Sequence, residues 1–270
     1  MNSMKRINLF EKKYLMLYIL FLPLIMLLLT GEFDLPGKVP PSKKEIPVWR
    51  SDIPDFNAIS DIEERKRSFF DFVRPLIETE NTRVLEKRKR LLYLYKQYRE
   101  KIIFSIEEKA WMERLKAKYR VNGNLDDPEL VWIELIRRVD ELPVELALTQ
   151  AAKESGWGTS RFARIGNNFF GQWCFKEGCG IVPVNRGEGA KHEVRQFGSV
   201  NESVQSYVHN LNTHAAYEEF RQLRFEQRRK GKKLDGYPLI SGLPRYSERG
   251  EVYLEEIRDL MLANMYIMGS

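Results

Sequence analysis

Glu154 is the residue whose type and place most suggest chemistry in this 270-residue sequence. In the run VELALTQAAKES, positions Val144, Ala147, Ala151 and Glu154 succeed one another at spacings of 3, 4 and 3. That spacing places all four on one helical face, apolar except for the carboxylate that closes it. Partial burial of a carboxylate disfavours its charged form and raises its pKa, which suits a general acid at neutral pH. The alternative is a Glu154 that turns outward at the helix end and is solvated. Gly156 and Gly158 end the helix on either side of Trp157. Metal chemistry has little to work with. The histidines are His192, His209 and His214, and the cysteines are Cys174 and Cys179. His209 and His214 are five apart, so a helix would not present them together. No metal and no cofactor are expected.

The elements that must position Glu154 emerge from composition and pattern. A hydrophobic content of 43% with 30% charged residues fits a globular chain. The formal charge of +6 resides in the front half: residues 61–120 carry 17 basic against 11 acidic side chains, and residues 121–270 carry 19 against 21. A slightly acidic second half argues against a nucleic-acid partner there. Residues 14–30 contain no charge and follow a basic stretch from Lys5 to Lys13. This is the pattern of a signal peptide or a membrane anchor, with the positive flank cytoplasmic and the remainder outside. The bulk of the chain is therefore expected outside the cytoplasm, with the inner, cytoplasmic membrane a partner through this segment. In an exported chain, Cys174 and Cys179 are expected to form a local disulfide.

Four regions follow: a signal peptide or anchor at 1–30, a Pro-rich tether at 31–55, a helical arm at 56–124 and a catalytic domain at 125–270. Three amphipathic helices are expected between Ser60 and Tyr119, on stripes that include Phe69, Val73, Leu76, Leu91, Trp111 and Leu115. Asp127-Pro128 opens another helix, and Pro143 the helix that carries Glu154. Residues 165–180 read as a structured loop and residues 181–197 as a small hairpin around Asn185-Arg186-Gly187. Ser199 and Glu202 form a capping box, and a last helix spans about 248–265.

The run QAAKESGWGTSRFARIGNNFFGQWCF, Gln150 to Phe175, resembles the N-acetylglucosaminidases of glycoside hydrolase family 73. The shared pattern is Q-A-x-x-E-S-x-W-G, then N-N-x-F-G, then Phe197 with the helix from Ser199, then a segment holding Tyr246 and Tyr253. It extends over about residues 130–265. Over most of its length the chain is also similar to the Bax proteins of Gram-negative bacteria, through RVDELP, GQWCFKEGCG, NLNTHAAY and YSERG. The resemblance implies a mainly α, lysozyme-like α+β domain with a small β-hairpin lobe, preceded by the helical arm and the N-terminal membrane segment. It implies cleavage of peptidoglycan glycan strands after N-acetylglucosamine, with Glu154 as general acid and Tyr246 lining the cleavage site.

The second catalytic group is where the sequence departs from the family pattern. An inverting enzyme needs a base about 6.5–9.5 Å from the acid, and a retaining one a nucleophile at about 5–5.5 Å. Glu188 at the hairpin tip and Glu193 on its return strand are the candidates, with a surface position as the alternative for each. The N-acetyl group of the substrate could serve instead. For binding, flat aromatic rings suit the apolar faces of sugars. Trp157, Phe169, Phe170 and Trp173 lie close after the acid, and two of them are expected to line a groove. Asn167 and Asn168 either hold the loop or reach the glycan, and Tyr253 is both an inward helix residue and a binding candidate. Competing readings are a muramidase or lytic transglycosylase on the same fold, and a non-catalytic wall-binding scaffold.

Overall fold

A computed structural model of the chain describes residues 53–123, 129–183 and 192–269. Residues Ile46–Arg228 and Lys233–Ser270 form one unit; of the other, Met1–Glu45 with Arg229–Lys232, only the last four residues are described. The expected anchor at 1–30, nearly all of the tether and Glu188 lie outside the described residues. Among the described residues, no helix is long and apolar enough to cross a membrane.

A short 3-10 turn, Phe56–Ala58, capped by Asp55, leads into α1, Ile62–Arg99. The Asp61 carboxylate accepts from the Glu64 N–H at 2.7 Å and starts α1. The sequence pattern suggested two helices here, but the chain runs as one helix of 38 residues through Pro75. An internal proline costs about 3 kcal/mol. Burial on both sides of it opposes that cost, because Phe69, Phe70, Phe72, Val73, Leu76, Ile77 and Val84 are all in the core. Helix α2, Ile106–Tyr119, opens with a full capping box between Ser105 and Glu108.

Helices α3, Glu129–Arg138, and α4, Val144–Ser155, follow at the places the pattern indicated. A short α5, Arg161–Gly166, capped by Ser160, leads into the expected loop. The β lobe is a three-stranded antiparallel sheet of order β1-β3-β2: β1 is Trp173–Cys174, β2 Gly180–Ile181 and β3 Glu193–Arg195. The expected hairpin is the β2–β3 pair, with Gly180 opposite Arg195. The added strand β1 is two residues long, too short to show a period. Helix α6, Val200–Thr213, begins at Ser199, whose side chain accepts from Glu202 N–H. The reciprocal bond goes one residue earlier than in a capping box, from Gly198 N–H to Glu202.

Helix α7, Glu218–Arg229, carries little apolar surface yet buries Arg221 and Arg224. Arg224 donates to the carbonyls of Arg137 and Glu141 at 2.8 and 3.0 Å, and Arg88 to those of Ile136 and Val139. These guanidinium groups serve the carbonyls left over where α3 ends. Asp140 lies among them: burial by itself would raise its carboxyl, but Arg88, Arg224 and Arg228 outweigh that and hold it below the usual carboxylate range. A short α8, Gly236–Leu239, and α9, Glu251–Met268, complete the chain.

The arm is not a separate layer. Helix α1 packs against α4, α6, α9 and α3, and its buried side chains share one continuous core with Leu146, Ala147, Leu148 and Ala151 of α4 and Ile257 of α9. Each buried Phe, Leu, Ile or Val of α1 contributes about 1.5–3 kcal/mol. A domain of this kind holds a net stability of only about 5–15 kcal/mol. A fragment of residues 129–270, lacking α1 and α2, is therefore expected to aggregate or to lack a cooperative thermal transition by circular dichroism. A soluble fragment with a sharp transition would show that α1 is dispensable to the core.

Candidate active site

Helix α4 presents Glu154 in its last turn. Ser155 closes that turn: its hydroxyl donates to Ala151 carbonyl at 2.6 Å and accepts from Gly158 N–H at 2.8 Å. Gly156 then takes the left-handed conformation that ends the helix (φ 55°), and Trp157 follows in the same region at φ 58°. A non-glycine residue there is unusual and persists where packing fixes it. Trp157 packs edge-on against Phe69 and Phe70 of α1, with Lys66 over its ring. The end of the Glu154 helix is thus fastened to α1.

The Glu154 carboxyl group is half-buried. Its Oε1 accepts from the Tyr253 hydroxyl at 2.8 Å. The Tyr253 oxygen accepts from Gln150 Nε2 at 3.0 Å, and Gln150 Oε1 accepts from the Tyr207 hydroxyl at 2.7 Å. Oε2 lies against Gly171, where an added Cβ would come within 2.7 Å of it; Gly171 itself has φ 62°. The glycine of GQWCF is needed there both for its backbone and for the space it leaves to the carboxyl. Burial raises the pKa of Glu154, against the lowering effects of the Tyr253 hydrogen bond and of Lys153. Lys153 is itself paired with Glu256 at 2.7 Å. Burial likewise pushes up the hydroxyls of Tyr207, Tyr246 and Tyr253, and that of Tyr217 to about 12, so all four remain neutral at physiological pH.

The structure brings together only part of the expected set. Tyr253 is buried and yet meets Glu154. Tyr246 stands one ring further out: it stacks on Tyr253 at 5.5 Å and donates its hydroxyl to the Phe170 carbonyl at 3.0 Å. Tyr253 is both inward and at Glu154, because the inward face at the start of α9 abuts the end of α4. Of the expected groove aromatics, Phe170 is fully buried, stacked 3.9 Å from Tyr207, and Trp157 is half-buried with its ring against α1. Phe169 is also core, stacked on Phe69. Trp173 does remain 47% exposed, stacked on His192, near exposed Phe175.

Asn167 caps α5 in the left-handed conformation and donates to Phe197 carbonyl. Asn168 is buried with its hydrogen-bonding capacity used: Nδ2 donates to the Gln172 and Arg195 carbonyls, and Oδ1 accepts from the Phe170 and Gln172 N–H groups. Glu193 is not a surface residue. It is buried, and its oxygens accept from Gly178 N–H at 3.0 Å and Gly180 N–H at 2.8 Å. It braces the loop closed by the Cys174–Cys179 disulfide, which is formed as expected. Gln150, Tyr207 and Gly171 are the site residues that the sequence reading did not assign a role. Gln150 carried a signal, since it lies one helical turn before Glu154 and is polar on a face otherwise apolar.

Comparison with known proteins reaches this same region. The glucosaminidase family, described as mannosyl-glycoprotein endo-beta-N-acetylglucosaminidase, matches residues 129–261, which include Gln150, Glu154, Gly171, Tyr207 and Tyr253. The chain is 36% identical over 203 residues to Protein bax of Escherichia coli (strain K12), covering 75% of this chain and 71% of that protein. No solved structure matches significantly. Helix α1, which fastens the end of α4, precedes the matched family region.

Replacing Asn168 by Ala is expected to destabilise the protein by about 2–4 kcal/mol in urea unfolding, since four buried bonds lose their partner. An unchanged midpoint would return Asn168 to the ligand-binding candidates.

Proposed function

The chain belongs to the family of Escherichia coli Protein bax and carries a glucosaminidase domain, and on that premise we propose that it is a peptidoglycan hydrolase, an endo-β-N-acetylglucosaminidase acting by general acid catalysis. The observation that carries this reading is the half-buried Glu154 carboxyl group, whose proton is favoured by burial and whose Oε1 is held by Tyr253. Protonated Glu154 gives its proton to the glycosidic oxygen as the bond to the anomeric carbon breaks. The sugar left behind has oxocarbenium character.

For the group that meets that carbon, the substrate's own N-acetyl oxygen is the better reading than Glu193. Both carboxylate oxygens of Glu193 are already engaged by backbone amides. Glu188 lies outside the described residues. Trp173, exposed and flat, suits the apolar face of a sugar ring in the same glycan strand. An extracytoplasmic site of action, with the N-terminal segment at the inner membrane, is supported by the uncharged run at 14–30 behind a basic flank. The disulfide agrees with it, because such bonds persist in oxidising compartments.

Purified wall digested with the protein should yield fragments whose new reducing end is N-acetylglucosamine by mass analysis. New ends on the muramic sugar, or binding without cleavage, would overturn the reading. Glu154→Gln keeps the shape but has no proton to give, and is expected to lose about 10²–10⁴-fold in rate. A variant retaining more than a tenth of the parent rate would remove Glu154 from the chemistry. Gly171→Ala should push the carboxyl aside and cost about 10²-fold, the scale of an ångström's misplacement. Full activity in that variant would show that Oε2 needs no such clearance.

A further inference from the structure

Behind Glu154 a chain of hydrogen bonds runs inward, and none of its members beyond Tyr253 touches the carboxyl. Tyr207 and Gln150 are both buried, on α6 and α4. A primary amide can face either way, and its two ends make opposite demands: Oε1 only accepts and Nε2 only donates. With Tyr207 donating to Oε1, Nε2 must face Tyr253, and the only role left to the Tyr253 oxygen there is acceptance. Its hydrogen is then free for Glu154 Oε1. With the amide reversed, Oε1 would compete with Glu154 for that hydrogen.

We propose that Tyr207 and Gln150 are positioning residues that set the direction of the Tyr253 hydroxyl, so that Tyr253 always donates to Glu154 Oε1 and the transferable proton is carried on Oε2, beside Gly171. This rests on the reading of Glu154 as the acid. It adds a reason for a glutamine, rather than any polar residue, one turn before that acid. Acidic Oε1 would face a hydroxyl already committed as a donor, so the proton is excluded from that oxygen. The proton therefore sits on the oxygen for which Gly171 leaves space.

The groups facing Glu154 are Lys153 on its own helix, Tyr207 on α6, Tyr217 in the 3-10 turn Ala215–Tyr217, Tyr246, and Tyr253 on α9. Lys153 is neutralised by Glu256, which also pairs with Arg249. The tyrosines remain neutral, so the direction of the Tyr253 hydrogen is the variable that a substitution behind it can alter. Tyr207→Phe removes one oxygen and leaves the amide free to reverse. Adding Gln150→Met takes away the competing acceptor at nearly the same volume. The double change removes both partners of the Tyr207–Gln150 bond, which is close to neutral in stability, and leaves the Tyr253 oxygen without its amide donor while its hydrogen stays free for Glu154.

The test is the titration of the Glu154 side-chain carboxyl itself, followed by carbon NMR on protein labelled at glutamate, with Glu154→Gln identifying the signal. This readout needs no substrate, so it separates failure of the relay from failure of the hydrolase reading. In Tyr207→Phe the Glu154 titration is expected to move to higher pH, because the carboxylate loses its donor. In the double variant Tyr207→Phe/Gln150→Met it should return to the parent position, as should the alkaline limb of wall digestion. A folded Tyr207→Phe protein with an unmoved titration would overturn the proposal. So would a shift that persists in the double variant, since that would mark a loss of packing rather than a reversed amide. If Tyr207→Phe does not fold, Tyr207→Leu, which also removes the hydroxyl and keeps the amide in place, is read by the same criteria: a titration moved to higher pH that returns on adding Gln150→Met supports the proposal, and an unmoved one overturns it.

Discussion

Everything around Glu154 answers one constraint: a carboxyl group whose proton is favoured by burial must leave water without being left unpartnered. Burial alone disfavours the ionised form. An unsatisfied buried carboxyl, on the other hand, is costly enough to move the side chain out of the protein. The structure resolves this with one donor on one oxygen, Tyr253 on Oε1, and a glycine beside the other. The donor lowers the pKa somewhat, but burial prevails. The position of α9, the buried amide of Gln150 and the tight loop at Gly171 all serve that arrangement.

The same constraint explains why α1 belongs to the site although it contributes no group to it. The end of α4 must not fray, since a shift of its last turn would expose the carboxyl. Trp157 in a left-handed conformation is the unusual element that turns the chain there, and the aromatic face of Phe69 and Phe70 fixes it. An aromatic contact of this kind adds about 0.5–1.5 kcal/mol beyond its buried area. The family region proper, residues 129–261, thus relies on a helix that lies before it in the chain.

What the sequence made legible was what periodicity and capping encode. The 3-4-3 spacing located Glu154 at the end of an apolar face and left open whether it was buried or solvated, Ser199 marked the start of α6, and the two cysteines paired. Periodicity could not say what an inward face would meet. Tyr253 was inward, as read, but inward at that point is the acid rather than the core alone. Tyr246 was in a loop, as read; it stacks on Tyr253 and donates to the Phe170 carbonyl, and Tyr253 is the tyrosine that hydrogen-bonds Glu154. The aromatic stretch after the acid was ambiguous for a similar reason, since a ring suited to a sugar is equally suited to another ring. Phe169 and Phe170 are core, Trp157 is half-buried against α1, and Trp173 is 47% exposed. Glu193 and Asn168 were absorbed by backbone groups of a loop whose strands are too short to betray themselves in a pattern. Helix α7 offers no apolar stripe to read, because two of its three buried side chains are arginines that satisfy carbonyls.

The central claim is that Glu154 keeps its proton at a pH where an ordinary glutamate, near 4.3, has lost it. The rate of wall digestion as a function of pH measures this most directly, compared between the parent protein and Glu154→Gln. The account predicts that the parent rate falls on an alkaline limb displaced above the ordinary carboxylate range, and that the residual rate of the variant lacks that limb. A parent rate that is flat across that range, or a limb that survives in Glu154→Gln, would contradict it.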